Sequence, residues 1–162
     1  MSGREILVRV ADWAAHRDDC VLVTLGLGSC VAIMLHDPRA GAGAMAHVLL
    51  PSRSLARDAT NLAKFPETAV PFLVERLGAL GAEPRRLVAK LAGGASMFAQ
   101  LMTPGNVQMG ERNILAAREA LRAAAIPLVG EAVGGEVGRS LRFHVRDGRV
   151  EVRSVGTDAY VI

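Results

Sequence analysis

Val21-Leu22-Val23-Thr24-Leu25-Gly26-Leu27-Gly28-Ser29-Cys30-Val31-Ala32-Ile33-Met34-Leu35 is the stretch from which the rest of the chain can be read. Two apolar runs, Val21 to Leu25 and Val31 to Leu35, stand on either side of Gly-Leu-Gly-Ser. Each is short and bounded by glycine, so both read as buried strands rather than helices. A third run, Ala44 to Leu50, is apolar except for His47 and stops at Pro51, which gives it the same reading. The connection from Asp37 to Gly43 has turn chemistry, so the second and third strands are expected to lie side by side.

Outward from this block, Ile6, Val8 and Val10 alternate with Leu7, Arg9 and Ala11, a half-exposed strand. Val70, Leu73, Leu77 and Leu80 recur at helical spacing; Thr68 is placed to cap that helix, Pro71 is expected in its first turn, and Gly81 ends it. Ile114, Ala117, Leu121 and Ala124 share the face of a second helix that Pro127 stops. Between them Leu87 to Leu91 reads as a strand running into Gly93-Gly94. Leu128 to Val133 is another, ending at Gly134-Gly135. Leu141, Phe143 and Val145 alternate with Arg142, His144 and Arg146, Asp147-Gly148 is a hairpin turn, and Val150, Val152 and Val155 continue beyond it. Strands, helix, strand, helix, strands is the order of an α+β layered domain, with helices on one face of mixed or antiparallel sheets. The pattern does not fix the strand order.

A chain of 162 residues suits a single domain, 1–162, and is long enough to bury a core without disulfides or metals. The formal charge of +3 comes from scattered Arg residues with no basic run and no interleaved aromatics, which argues against a nucleic-acid surface. Met1 to Val10 alternates instead of forming an apolar core run, so no signal peptide is read there. No stretch approaches the roughly 20 apolar residues of a membrane span. A soluble, cytoplasmic protein is expected. Its two cysteines, Cys20 and Cys30, have neither Cys-x-x-Cys spacing nor a His spaced as a zinc partner, and a disulfide is not expected in a reducing compartment.

The glycines before Cys30 leave room for something to approach the backbone. A phosphate loop is excluded: there is no Gly-Lys-Ser/Thr, no third glycine and no following helix. A glycine-flanked Cys at a loop-to-strand junction suits an exposed nucleophile; burial as a small apolar side chain is the alternative, and the segment alone leaves both open. Such a nucleophile needs a base, since its free pKa is about 8.5. His16 sits among Arg and Asp and reads as exposed; His36 precedes the Asp37-Pro38 turn and reads as surface; His144 alternates with Arg142 and Arg146 and reads as solvated. His47 alone interrupts a buried strand, where imidazole must find a hydrogen-bond partner. Either a satisfied core histidine or a base for Cys30 fits. For the third group that holds the imidazole, Asp37 is a candidate by charge, although the turn points it away, and Thr24 is a candidate by position.

These segments resemble the CheD family in order and spacing. The resemblance is carried by Thr24 to Val31, Asp37-Pro38 and His47-Val48-Leu49-Leu50-Pro51. It continues through Gly81-Ala82, Lys90 to Gly94, Gly110-Glu111-Arg112-Asn113, Gly134 to Arg139, Phe143-His144 and Gly148-Arg149-Val150, so that it runs from about Leu22 to Val152. It implies a catalytic Cys30, His47 and Thr24, with Gly28 and Ser29 beside the substrate and backbone N–H groups there holding an oxyanion. It implies hydrolysis of chemoreceptor glutamine side chains to glutamate, some action on glutamate methyl esters, and no metal or cofactor. The implied fold is a single-domain α/β/β sandwich with mixed sheets and two main helices, similar to toxin-type cysteine deamidases. The implied partners are chemoreceptor cytoplasmic domains and the phosphatase CheC, which binds over the active site in many members; a monomer is the default. Ala92 stands where the family often has an aromatic, and Arg53 to Pro66 is less typical, but neither touches the catalytic positions. Two other classes compete: a non-catalytic chemotaxis adaptor and a redox-sensing thiol protein, the latter disfavoured by the absence of a resolving cysteine pattern.

Overall fold

The computed structural model describes residues 3–97 and 108–162, and in them ten strands form two five-stranded sheets. The first sheet runs β1 (Arg4–Leu7), β3 (Cys20–Leu27), β8 (Arg139–His144), β9 (Val150–Arg153) and β10 (Tyr160–Val161). The second runs β2 (Trp13–Arg17), β5 (Ala42–Val48), β4 (Val31–Asp37), β6 (Val88–Gly93) and β7 (Leu128–Val133). Both are mixed: β1 with β3 and β6 with β7 are parallel, and the other pairs are antiparallel.

Every residue of β4 and β5 is buried, which explains why neither run alternates in polarity. Val31, Ile33 and Leu35 face α1 (Pro66–Gly78) and α2 (Met109–Ala123), while Ala32 and Met34 face the first sheet. The result is helices on the second sheet and the second sheet on the first, the α/β/β layering expected.

The helices keep their expected faces: Val70, Leu73 and Leu77 of α1 and Ile114, Ala117 and Leu121 of α2 are buried. Their ends differ from expectation. Pro66 opens α1, where its missing N–H is harmless, and Phe65 is the cap residue. The Thr68 hydroxyl instead donates to the Leu62 and Phe65 carbonyls. Pro71 lies inside the helix rather than in its first turn. Ala124 falls beyond the end of α2 and is exposed.

The short strands β2 and β10 have no counterpart in the sequence reading. β2 is held from outside: Trp13 packs edge-on against Phe72 of α1 at 4.8 Å, with the Arg76 guanidinium over both rings. Val10 and Val155 lie outside strands and are exposed. His36 is buried, not on the surface. It shares the inner face of β4 with Met34, and the Asp147-Gly148 turn of the β8–β9 hairpin folds over its ring, so close that a Cβ on Gly148 would sit 2.6 Å from Nδ1.

Asp37 ends β4 fully buried. It accepts from the Arg39, Ala40 and Glu83 backbone N–H groups and from the Arg86 guanidinium, whose Nη2 is 2.8 Å from Oδ2. Burial alone would raise its pKa; Arg86 and the three N–H groups outweigh that and hold the carboxyl well below the usual range. Replacing Asp37 with Ala strands a guanidinium and three N–H groups, and should cost about 3–5 kcal/mol in urea unfolding. Because the folded carboxyl titrates below its unfolded value, this contribution is complete above about pH 4 and is lost as the pH falls through the folded value. Stability measured from pH 6 to pH 3 should therefore fall more steeply in wild type than in Asp37→Ala.

Candidate active site

The chain leaves the first sheet with β3, passes through Gly28, Ser29 and Cys30, and enters the second sheet as β4. Thr24 comes from the first sheet and His47 from the second, so the site forms where the chain crosses between layers. β3 takes on an extra residue between Thr24 and Leu27, with Gly26 at φ 65° in a turn that opens to solvent. This bulge turns Leu25 outward and Leu27 into the core.

Thr24 is fully buried, and its Oγ1 donates to the Val8 carbonyl at 2.6 Å and lies 2.8 Å from His47 Nδ1. A hydroxyl has one proton. With that proton on Val8, Oγ1 can only accept from His47, which places the ring proton on Nδ1 and leaves a lone pair on Nε2. His47 Nε2 is buried and has no hydrogen-bond partner among the described residues. The His47 backbone is fixed from both sides, by its N–H to Asp12 at 3.0 Å and its carbonyl to the Ala11 N–H at 2.8 Å.

In the antiparallel β4–β5 pair Ala32 stands opposite His47. Cys30, two residues earlier, is on the same face and diagonal to His47, a spacing that longer side chains span. Among the described residues no hydrogen bond joins Cys30 Sγ to the ring. Such contacts often tighten only once substrate is bound. Cys30 is 9% exposed: of the two settings the segment left open, the residue takes the buried one, at the edge of the inter-sheet core, with the glycines opening the loop beside it. Burial pushes the Cys30 thiol up, partly offset by its own backbone N–H, and burial pushes His47 down, partly offset by the Val8 carbonyl. Both shifts favour the neutral forms.

Three successive carbonyls hold the loop. Gly28 accepts from the Ala95 N–H, Ser29 from Asn113 Nδ2 and Cys30 from the Gly94 N–H, each at 2.8 Å. Gly93 has φ 109°, and a Cβ there would lie 2.3 Å from the Cys30 carbonyl, so only glycine fits. β6 ends at Gly93, where the sequence pattern puts the end of a strand, and in the fold Gly93 and Gly94 are also the seat of the cysteine loop. The sequence reading gave Asn113 no role of its own. The signal was present, since Asn113 precedes Ala117 and Leu121 at four-residue spacing and so puts a polar side chain on the buried stripe.

The remaining candidates lie elsewhere. Cys20 is buried at the far end of β3, His36 at the far end of β4, and His144 on β8 opposite Val21, with Nε2 3.3 Å from a Glu151 carboxylate oxygen. His16 is half-buried on β2 rather than exposed, and Asp37 points to Arg86. Among the described residues no three His, Cys, Asp or Glu side chains converge as metal ligands would, and no helix is long and apolar enough to cross a membrane.

The sequence matches the family model described as CheD chemotactic sensory transduction over residues 49–154. It is 39% identical over 156 residues to the probable chemoreceptor glutamine deamidase CheD of Caldanaerobacter subterraneus subsp. tengcongensis, covering 96% of each chain. It is 47% identical over 151 residues to the probable chemoreceptor glutamine deamidase CheD 2 of Geobacter metallireducens, covering 93% of each. It is 41% identical over 150 residues to the chemoreceptor glutamine deamidase CheD of Thermotoga maritima, covering 93% of this chain and 92% of that one. The family-model match begins after His47, whereas alignments of this length also span Thr24 to His47.

With burial holding the thiol above its ordinary pKa, Cys30 should alkylate slowly with iodoacetamide at pH 7. Its rate, followed by peptide mass mapping, should rise at each step to pH 9 without levelling. A plateau near pH 7 would instead mean a resting thiolate–imidazolium pair.

Proposed function

Because the chain belongs to the CheD family, we propose that it is a protein-glutamine deamidase. It hydrolyses glutamine side chains in chemoreceptor cytoplasmic domains to glutamate and releases ammonia, with Cys30 as nucleophile. The observation that carries this reading is the buried, unpartnered Nε2 of His47 on the face of β5 that is diagonal to Cys30. A buried imidazole with one nitrogen tied and the other idle is suited to accept a proton during a reaction.

His47 Nε2 takes the thiol proton as Cys30 Sγ bonds to the carboxamide carbon, and the carbonyl π electrons move to oxygen. The backbone N–H groups of Ser29 and Cys30 donate to no other described residue and can stabilise that oxyanion, with Gly28 giving the substrate room. The oxyanion collapses, the C–N bond breaks, and the imidazolium proton leaves on ammonia. Water then gives a proton to His47 as its oxygen attacks the thioester carbon. The C–S bond breaks, and the proton returns to sulfur. Thr24 holds the tautomer throughout. The same steps suit a glutamate methyl ester, with methanol leaving in place of ammonia. A CheC phosphatase is the partner that the family resemblance adds to the receptor. A non-catalytic adaptor would need neither the tied tautomer nor the idle Nε2.

Incubated with a purified receptor cytoplasmic fragment, wild type should release ammonia and add about one dalton per glutamine, and Cys30→Ala should lose several orders of magnitude in rate. Cys20→Ala should retain full rate. Mass gain with Cys30→Ala would move the chemistry off this thiol. Because burial lowers the His47 pKa from its ordinary value, the acid limb of wild-type kcat/KM, where the base becomes protonated, should be centred below about 6.5; a limb centred above that would assign the proton to another group.

A further inference from the structure

One side-chain amide ties together the two segments that carry the thiol and the imidazole. Asn113, in the second turn of α2, is fully buried, and its Nδ2 donates to the Ser29 carbonyl at 2.8 Å and to the Leu49 carbonyl at 3.2 Å. Ser29 directly precedes Cys30, and Leu49 follows His47 by two residues. Both neighbours of this nitrogen are carbonyl oxygens, so only the NH2 end of the amide can face them, and each of its protons serves one. Oδ1 is buried with no partner among the described residues. An unpaired buried acceptor is destabilising, and the neighbouring core positions on this helix are the apolar Ile114, Ala117 and Leu121. Packing alone therefore gives no reason for an amide here, whereas its two donor contacts do.

The Ser29 carbonyl belongs to the same peptide unit as the Cys30 N–H. In a planar trans peptide the two point in opposite directions. Drawing the Ser29 oxygen toward α2 turns the Cys30 N–H away from the helix layer. The flanking carbonyls, Gly28 on the Ala95 N–H and Cys30 on the Gly94 N–H, prevent the loop from rotating to undo this.

We propose that Asn113 is a positioning residue of the deamidation reaction. Its amide aims the Cys30 N–H at the developing oxyanion and, through Leu49, fixes the span between the Cys30 and His47 segments. The inference rests on the deamidase reading above. Loss of a whole oxyanion donor costs about 100- to 1000-fold in kcat, and a donor that is misaimed but still present should cost about 10- to 100-fold.

The test compares wild type with Asn113→Ala, Asn113→Asp and a packing control, Leu121→Val, on the receptor fragment. Asn113→Ala should lose about 10- to 100-fold in kcat with KM within about twofold, because the substrate contacts remain and only transition-state contacts weaken. Leu121→Val should lower Tm yet keep kcat within about twofold, since it removes one methylene far from the loop. Asn113→Asp adds a pH signature. Its buried carboxyl has a raised pKa and faces two carbonyls, so it can donate only when protonated; its kcat relative to wild type should climb as pH falls. An Asn113→Ala protein with near wild-type kcat, or a Leu121→Val protein that loses as much kcat as Asn113→Ala, would overturn the positioning role while Cys30→Ala stays inactive. Deamidation that survives Cys30→Ala would remove the underlying reading and this role with it.

Discussion

A single hydroxyl proton sets the tautomer of His47. Thr24 gives it to the Val8 carbonyl at 2.6 Å, so toward His47 the oxygen can only accept. Thr24 and Val8 belong with the first sheet and His47 with the second. The contact therefore crosses the interface between sheets, and the tautomer of the imidazole depends on how the layers are stacked. A slip of either strand by one residue would turn its side chain to the opposite face and break the contact.

The layering that fixes the tautomer also buries Cys30 and His47. Cys30 and His47 are both buried between the sheets, where burial disfavours the thiolate and the imidazolium alike. The glycines at 93 and 94 and the amide of Asn113 do the complementary work on the backbone side. They commit the carbonyls of the loop to the protein.

Far from the site, Asp37 and Arg86 anchor the other end of β4. The strand that follows Cys30 is thus held at both ends, by a buried ion pair at one and the glycine seat at the other. Such rigidity suits a site whose groups must meet within a fraction of an ångström.

The sequence by itself determined the strands at its centre and both helical faces, and it singled out the candidate residues of the site. Short apolar runs bounded by glycine and proline have few other solutions, and a polar residue inside such a run, as His47 is, needs a reason. It could not determine β2 or β10, whose residues have little pattern of their own and are held by partners distant in the chain. Nor could it see that His36 is buried, since the turn that covers it comes from Gly148, more than a hundred residues later. Which group ties His47, which way its free nitrogen is left, how deeply Cys30 lies and what Asn113 holds were decided only by the tertiary structure. These are contacts between layers, and local sequence pattern specifies which face of an element is buried without specifying what that face will meet.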